Sequence, residues 1–368
     1  MMVSSVSWTA FKLPFRIPIQ TAKRLLTFRE GVLIRIRTDA GFEGLGEASL
    51  HPFVSSLSHL HDLAETLSSL APRWIDSRAE DCLEDLGMLP PSLAFGIETA
   101  LLDVLAQEKG LSISAFLGGP KRKAVPVNAL VASQTAKEVV GEARAAKEAG
   151  FACIKMKVGG APTLQVDEER VAALREAVGP EVGIRLDANG AWGVQEAIQA
   201  IASFEKYGLE LIEQPVAAGD LEGLKRVQAS VRTMIAADEA IWDVQSAARA
   251  IETGAARAIV LKPMVLGGAK NAMKVASLAQ NAGIYAYVTS TLDSSVGIAA
   301  ALHLACMLPK EGPACGLATG SLLAADIVVP PLKVAEGKME LPYMPGLGVK
   351  LDKHALFSHS QWNGSCQT

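Results

Sequence analysis

The chain has 368 residues, of which 49% are hydrophobic and 20% charged, with a formal net charge of −4 at pH 7. This balance is typical of a folded globular protein, and the length exceeds that of one average domain, so two domains are expected. The acidic net charge and the lack of a Lys/Arg-rich run argue against nucleic-acid and membrane-surface binding, and they do not exclude a small-molecule partner.

The first predicted elements form an α+β unit over residues 1–120. Residues 32–48 alternate apolar and polar side chains on both sides of residues 39–41, which is the pattern of a β-hairpin with a glycine-containing turn. Apolar residues then recur at helical spacing between Leu93 and Leu105. Strands followed by helices therefore open the chain.

Eight short β-prone runs, separated by amphipathic helical segments, follow this unit. They are residues 125–131, 153–158, 183–188, 209–215, 234–240, 258–263, 285–291 and, more weakly, 314–319. Ionisable or hydroxyl residues near the ends of successive runs recur every 24 to 30 residues, about the length of a strand, a helix and two short loops. The period predicts a (β/α)8-type barrel over residues 121–324. A doubly wound α/β sheet competes, but residues 125–134 lack its Gly-rich phosphate loop.

Charged residues lie near the carboxyl ends of five consecutive runs. They are Lys155, Lys157, Asp187, Glu213, Asp238 and Lys262. In a barrel these ends open onto one face, where active sites are built. Lys155 and Lys157 are two residues apart in one strand, so both side chains should enter the barrel while their apolar neighbours pack outward. Six charges are therefore expected to converge on one site.

Asp187, Glu213 and Asp238 are the predicted metal ligands. Three carboxylates on adjacent strands repel one another unless a divalent cation lies between them, and oxygen-only ligands suit Mg²⁺, with Mn²⁺ as a substitute, better than zinc. A lysine beside another ammonium and near a dication binds its proton less tightly, which makes it a usable general base. Because Lys262 follows Lys157 by four strands, a substrate could lie between them. The arrangement suits removal of a proton α to a carboxylate through an enediolate.

Two further polar residues near these ligands keep two interpretations each. Asn189 is either a turn residue or a hydrogen-bonding partner of an active-site group. Glu239, next to Asp238, either pairs with a neighbouring lysine or caps a helix. A single acidic residue at a strand end is most often a helix cap, so the prediction depends on the whole set in register with the barrel period.

The cysteines and the N-terminus bear on the cellular compartment. The five cysteines form an odd set without CxxC spacing, which favours neither a disulfide framework nor a zinc ribbon and fits a reducing cytoplasm. The N-terminal segment lacks the pattern of a secretory signal, and no run of 18 apolar residues is present. The oligomeric state, including a homo-oligomer, stays open.

The motifs GLGEA, GIETALLDVLAQEKG, KMK, DANGAW, EQP, ADE and the KP strand resemble the enolase superfamily, in its muconate-lactonizing-enzyme-like subgroup. The resemblance covers nearly the whole chain. It implies that residues 1–120, completed by the tail 325–368, form a capping domain over the barrel mouth. It also implies Mg²⁺ on the three carboxylates, with Lys157 and Lys262 on opposite faces of the substrate and Lys155 assisting Lys157.

Several activities are compatible with this resemblance. A mandelate-racemase-like site would carry a histidine at the seventh strand, where this chain has YAYVTSTLDSS. Lactonization, dipeptide epimerization, N-succinylamino acid racemization and o-succinylbenzoate synthesis remain. The stretches VLKPMVLGG, TSTLDSSVG and GLATGSLLAAD look most similar to o-succinylbenzoate synthases. Dipeptide epimerases are expected to carry an Asp-x-Asp pair near the eighth strand, and ACGLATG lacks it.

The reaction implied is the syn elimination of water from 2-succinyl-6-hydroxy-2,4-cyclohexadiene-1-carboxylate, a step towards menaquinone. Lys157 would take the α-proton and return it to the departing hydroxide, while the charge of Lys262 stabilises the intermediate. Racemization would require both lysines to exchange protons. A catalytically silent barrel that serves as a binding protein is the alternative from another class.

Four residues are the candidates for contact with the rest of the substrate. Arg29 lies in residues 17–31, where groups from the capping domain are expected, although a surface arginine is the competing interpretation. Ser290, Asp293 and Ser294 belong to the stretch TSTLDSS after the seventh strand. Asp293 stands where many relatives have Glu, which weakens the substrate assignment more than the chemistry.

Overall fold

The computed structural model describes residues 1–20, 25–50 and 57–367, and residues 21–24 of the segment expected to contact substrate lie outside this range. The N-terminal region contains a four-stranded antiparallel sheet in the order β14-β1-β2-β3. Its strands are β1 (Val3–Gln20), β2 (Leu25–Thr38) and β3 (Glu43–Ala48), with β14 (Ser360–Gln367) contributed by the tail. The predicted hairpin corresponds to β2 and β3, whose pairing extends from Val32–Ala48 to Arg37–Glu43.

Helices cover one face of this sheet. They are α1 (Leu57–Trp74), α2 (Ala79–Cys82), α3 (Pro91–Glu108) and α4 (Ile113–Phe116), with a 3₁₀ turn at Glu84–Met88. Val32, Ile34 and Ile36 alternate along β2 and are buried against α1 and α3, so the period of two places them on one face.

Glycines on β3 bring that strand close to α3. A Cβ atom at Gly46 would lie 1.7 Å from the carbonyl oxygen of Gly96, and one at Gly44 would lie 2.0 Å from that of Ala100. Neither distance is sterically possible, so both positions require glycine for this packing.

The predicted barrel is confirmed as a curled parallel sheet of seven strands in sequence order. After β4 (Ala124–Pro126), its strands are β5 (Ala129–Val131), β6 (Cys153–Lys157), β7 (Gly183–Asp187), β8 (Leu209–Glu213), β9 (Met234–Ala237), β10 (Ala258–Leu261) and β11 (Tyr285–Val288). Ile154 and Met156 are fully buried on the outer face of β6, packed among helix residues such as Val171 and Leu174.

Helices follow the strands and cover the outside of the sheet. They are α5 (Ala136–Glu148), α6 (Leu164–Val178), α7 (Val194–Phe204), α8 (Leu221–Ser230), α9 (Val244–Glu252), α10 (Pro263–Leu266), α11 (Ala269–Asn281) and α12 (Ser295–Met307), with 3₁₀ turns at Glu205–Tyr207 and Ala318–Leu322. α12 is buried along almost its whole length, because it packs on the barrel and on the N-terminal sheet.

The eighth predicted strand is reduced to two residues, Cys315 and Gly316. Cys315 accepts a backbone hydrogen bond from Asn128 and donates one to Pro126, while Gly316 donates to Val288 and accepts from Ser290. These bonds join the segment between β4 and β5 to the end of β11. The weak β signal of residues 314–319 therefore reflects a short bridging segment that turns at once into the 3₁₀ helix.

The first predicted strand, residues 125–131, is divided between two sheets. β4 pairs antiparallel with β13 (Lys338–Glu340), which also pairs with β12 (Val334–Ala335), whereas β5 pairs with β6. The tail continues through α13 (Lys353–His359) to β14 beside β1. None of the helices in the described ranges is both long and apolar enough to cross a membrane.

Candidate active site

The six charged residues singled out from the sequence lie at the carboxyl ends of β6 to β10. Lys157, Asp187 and Glu213 are the last residues of their strands, Lys155 lies two residues before the end of β6, and Asp238 and Lys262 directly follow β9 and β10. A cavity opens at this end of the barrel. Its lining includes five of the six, the exception being Glu213, which lies deeper.

Lysine ammonium groups contact each of the three carboxylates. The Nζ atom of Lys155 lies 2.9 Å from Oδ2 of Asp187 and also donates to Oε2 of Glu213. The Nζ atom of Lys262 lies 2.7 Å from the carboxylate of Asp238. The three carboxylate side chains are at most 3% exposed. Charge at this end of the barrel is therefore paired, as burial requires.

The pKa values reflect this pairing. Burial alone would lower the pKa of Lys155, but attraction to Asp187, Glu213 and Asp238 outweighs it, and the pKa is raised. Burial would lower the pKa of Lys262 too, and Asp238 raises it. The lower lysine pKa expected from the sequence therefore applies to a site that holds a divalent cation. Without the cation, the carboxylates favour the ammonium forms of these two lysines.

The acidic groups are shifted in opposite directions. Burial would raise the pKa of Asp187, but Lys155 and Lys157 hold it well below its usual range. Burial, with Asp187 and Asp238 nearby, raises the pKa of Glu213 despite its contact with Lys155. At Glu213, burial and the neighbouring acidic groups therefore outweigh the contact with Lys155.

The donor set fits a hard divalent cation in chemistry. Asp187 and Glu213 both contact the ammonium nitrogen of Lys155, and the charge of Asp238 also raises the pKa of that group. Oδ1 of Asp238 is buried and lies 2.7 Å from the ammonium nitrogen of Lys262, although the hydrogen bond of that group goes to Oδ2. Within the described ranges, however, no three His, Cys, Asp or Glu side chains are grouped closely enough to form a metal site as they stand. Oxygen donors of this kind would hold Mg²⁺ after their side chains adjust.

Asn189 fulfils both interpretations left open by the sequence. Its φ angle is 45°, in the left-handed region, so it is a turn residue. Its Oδ1 atom accepts a hydrogen bond of 2.6 Å from Lys157, and its Nδ2 atom donates one of 2.8 Å to Oε1 of Glu239. Burial and the nearby Asp238 raise the pKa of Glu239 to about 7. Asn189 therefore connects Lys157 with Glu239.

The four candidate substrate contacts separate into two groups. Ser290 lines the cavity and forms a hydrogen bond of 2.7 Å with Thr319. Arg29 and Asp293 pair with each other at 3.1 Å, and each side chain is 3% exposed. Ser294 donates to Glu47 at the start of α12. Arg29, Asp293 and Ser294 thus connect the N-terminal sheet to the loop after β11 beside the cavity, and Arg29 is not a surface residue.

The remaining cavity lining was not singled out from the sequence. It is neutral and consists of Ile19, Leu26, Asn128, Leu130, Thr289, Thr291, Leu292, Gly316, Ala318 and Thr319, with Asn189 and Ser290 already described. Seven of these ten residues lie within the first, seventh and eighth predicted strands, and they were not predicted because the argument from the sequence selected charged side chains. Ile19 and Leu26 flank residues 21–24, within the segment predicted to contact substrate.

Comparison with known families covers both regions of the chain. The family described as "Enolase C-terminal domain-like" matches residues 138–355, and "Mandelate racemase / muconate lactonizing enzyme, N-terminal domain" matches residues 4–118. A chloromuconate cycloisomerase of Cupriavidus necator is 30% identical over 96% of this chain and 97% of its own length. A hydrophobic dipeptide epimerase of Enterococcus faecalis is 30% identical over 95% of this chain and 99% of its own.

Solved structures are also similar to this chain over nearly its whole length. Muconate lactonizing enzyme from Pseudomonas fluorescens, complexed with muconolactone, has a TM-score of 0.92 and 29% identity, over 98% of this chain and 99% of the other. N-succinyl Arg/Lys racemase from Bacillus cereus has a TM-score of 0.91 and 25% identity over the full length of both. A dipeptide epimerase from Enterococcus faecalis complexed with Mg and L-Leu-L-Tyr has a TM-score of 0.88 and 28% identity, over 95% and 100%.

Proposed function

Because the chain belongs to the enolase superfamily, in its muconate-lactonizing-enzyme-like subgroup, we propose that it is an o-succinylbenzoate synthase. The reaction is the syn dehydration of 2-succinyl-6-hydroxy-2,4-cyclohexadiene-1-carboxylate, a step towards menaquinone. The observation that carries the proposal is a cavity with two opposed lysines on a charged side and a neutral lining elsewhere.

We infer that Lys157 and Lys262 act on two faces of one substrate. Lys157 ends β6 and Lys262 follows β10, with β7, β8 and β9 between them in the sheet order. Both amines line the same cavity. Lys157, held by Asn189, takes the proton α to the substrate carboxylate and then donates it to the hydroxide that leaves from the same face. Lys262 stays charged and stabilises the enediolate from the other face.

Asp187, Glu213 and Asp238 are the residues that would hold Mg²⁺, or Mn²⁺ as a substitute. A bound divalent cation supplies electrostatic stabilisation of the negative charge that develops on the substrate carboxylate. A structural relative from Enterococcus faecalis is complexed with Mg, which supports this choice of ion. Lys155 contacts two of the three carboxylates and so helps to orient them.

The neutral part of the lining favours the cyclohexadiene substrate over a dipeptide. A dipeptide carries an ammonium group, and burying it requires a carboxylate partner. Residues 316–319 line the cavity with a glycine, an alanine and a threonine, and contain no acidic side chain. Leu26, Leu130 and Leu292 suit a carbocyclic ring instead.

A second candidate is N-succinylamino acid racemization. Succinylation replaces the ammonium group by a neutral amide, which the same lining accepts. The Bacillus cereus racemase, similar over the full length of both chains, supports this alternative. Both lysines would then exchange protons with the substrate.

The test offers the purified protein the cyclohexadiene carboxylate, N-succinylamino acids, dipeptides and muconate in separate assays, with Mg²⁺ in deuterated water. We expect fast dehydration with slow deuterium exchange. Rapid exchange with racemization of an N-succinylamino acid supports the second candidate, and turnover of a dipeptide or of muconate contradicts both. If the protein turns over none of the four compounds, and EDTA makes no difference, the result would indicate a binding protein.

A further inference from the structure

A column of polar side chains occupies the barrel interior below Glu213. The remainder of this layer is small or aliphatic, and consists of Leu211, Ala236, Ala258 and Val260. The two alanines leave room for the ring of Tyr287, which is 1% exposed, and for Arg185, which is fully buried. A barrel core is ordinarily filled by branched apolar side chains, so this composition calls for a physical reason.

Arg185 is fully paired within the column. Its Nε and Nη2 atoms lie 3.0 and 2.9 Å from the two carboxylate oxygens of Glu210, and Nη1 donates to the carbonyl oxygen of Ala314 at 2.6 Å. Its guanidinium carbon lies 5.0 Å from the centre of the Tyr287 ring. These contacts fix the ring, because a buried paired guanidinium has little freedom to move.

Tyr287 in turn fixes the carboxylate of Glu213. Its hydroxyl donates a hydrogen bond of 2.8 Å to Oε1 of Glu213, while Oε2 receives Lys155 at the cavity end. The two oxygens of this carboxylate therefore have separate partners. Rotation of the carboxylate would leave Oε1 buried without a donor, which is unfavourable.

We infer that Tyr287 is a positioning residue that aims Oε2 of Glu213 at the cation site. The inference rests on the proposed function, because it assigns Glu213 to a bound divalent cation. Mutation of a group that hydrogen-bonds to a metal-binding side chain typically lowers metal affinity 10- to 100-fold. The column from Glu210 through Arg185 and Tyr287 thus connects the packed interior of the barrel to one ligand.

The test compares Tyr287→Phe with Tyr285→Phe by calorimetric titration of the full chain with MgCl2. Tyr285 lies on the same strand, is 48% exposed and provides the matched control. Phe keeps the ring beside Arg185, so the variant should fold, as checked by circular dichroism and urea unfolding. We expect Tyr287→Phe to raise the Kd for Mg²⁺ about 10-fold or more, and Tyr285→Phe to leave it unchanged.

The possible results separate the inference from the proposed function. If the unaltered protein binds Mg²⁺ and Tyr287→Phe binds it equally well, the inference is wrong even if the variant is less stable. If the unaltered protein binds no Mg²⁺, the cation assignment fails, and the inference fails with it. In steady-state assays, a requirement for more Mg²⁺ with kcat restored at saturation supports positioning, and a loss of kcat that Mg²⁺ does not restore contradicts it.

Discussion

At the scale of single residues, the lysines at the barrel mouth differ in what they hold in place. Lys155 contacts two buried carboxylates, whereas the shortest contact of Lys157 is with the neutral amide of Asn189. Removing Lys155 leaves two acidic groups with less compensation, whereas removing Lys157 leaves the amide oxygen of Asn189 without its donor and removes only a longer contact of 3.5 Å to Asp187. The same substitution should therefore affect stability at one position and chemistry at the other.

We expect Lys157→Ala to lower kcat about 10²- to 10⁴-fold, the usual contribution of a general base, with a smaller loss of unfolding free energy than Lys155→Ala causes. Lys155→Ala should instead destabilise the protein by about 3–5 kcal/mol, the usual cost of breaking a buried ion pair. Urea unfolding in EDTA, together with dehydration assays in Mg²⁺, measures both effects. Lys225→Ala on the exposed face of α8 is the control. Full activity of Lys157→Ala would exclude it as the base.

At the scale of elements, β3 and α3 form the tightest contact of the N-terminal region. Gly44 and Gly46 let the strand approach the carbonyl groups of Gly96 and Ala100 on the helix. The same strand carries Glu47, whose carboxylate reaches the first turn of α12. A shift of β3 away from α3 would therefore also displace the contact with the barrel.

Adding one methyl group to β3 tests this contact. Gly46→Ala places a Cβ against backbone atoms that cannot move aside, and we expect a destabilisation of about 3 kcal/mol or more. Gly141→Ala lies in α5 with nothing within 4 Å of the added carbon, and should stabilise the protein by about 0.5–1 kcal/mol. Urea unfolding of the two variants gives the comparison. Equal stabilities would show that β3 and α3 separate without cost.

Sequence reasoning predicted the elements best where the signal was local. The strands from β6 to β11 each carry an apolar run at a regular period, and the charged ends of β6 to β10 fall where a barrel requires them. The pairing of β4 with β13 depends on residues about 200 positions apart, for which a single sequence has no signal. Arg29 and Asp293 were predicted separately as substrate contacts, but spacing alone gives no reason to pair them. Tyr287 and Arg185 were not predicted as functional residues, because each is a polar side chain within an otherwise ordinary strand.

At the scale of the whole molecule, the N-terminal region is joined to the barrel by charged groups aimed at helix ends. Glu98 on α3 accepts backbone hydrogen bonds from Ala269 and Lys270 at the start of α11. Glu47 does the same at α12, through Ser294 and Gly297. Carboxylates are favoured at helix N-termini, so the two regions are held together by specific polar contacts as well as by packing.

Glu47 should make stability depend on pH. Burial and the nearby Asp293 raise its pKa to about 7, although attraction to Arg29 opposes the shift. The folded state therefore keeps the proton to a higher pH than the unfolded chain, so stability falls as pH rises from about 4.5 to about 7. Glu47→Gln removes this term, and its stability relative to the unaltered protein should rise by roughly 2 kcal/mol between pH 5 and 8.

Urea unfolding midpoints at several pH values measure the effect. Glu43→Gln is the control, because Glu43 lies on the same strand and pairs at the surface with Arg37. Parallel pH curves for Glu47→Gln and the unaltered protein would contradict the role of this carboxyl group.

The two-residue segment at Cys315 and Gly316 determines when the barrel edges can be joined during synthesis of the chain. During translation, β5 and β11 emerge from the ribosome before Cys315 and Gly316, which hydrogen-bond to Asn128 directly before β5 and to Val288 at the end of β11. Until Gly316 is synthesised, the nascent chain has two unpaired strand edges. Such edges can pair with strands of other chains and lead to aggregation. The pocket, which Gly316 and Thr319 help to line, is thus among the last features that the growing polypeptide completes.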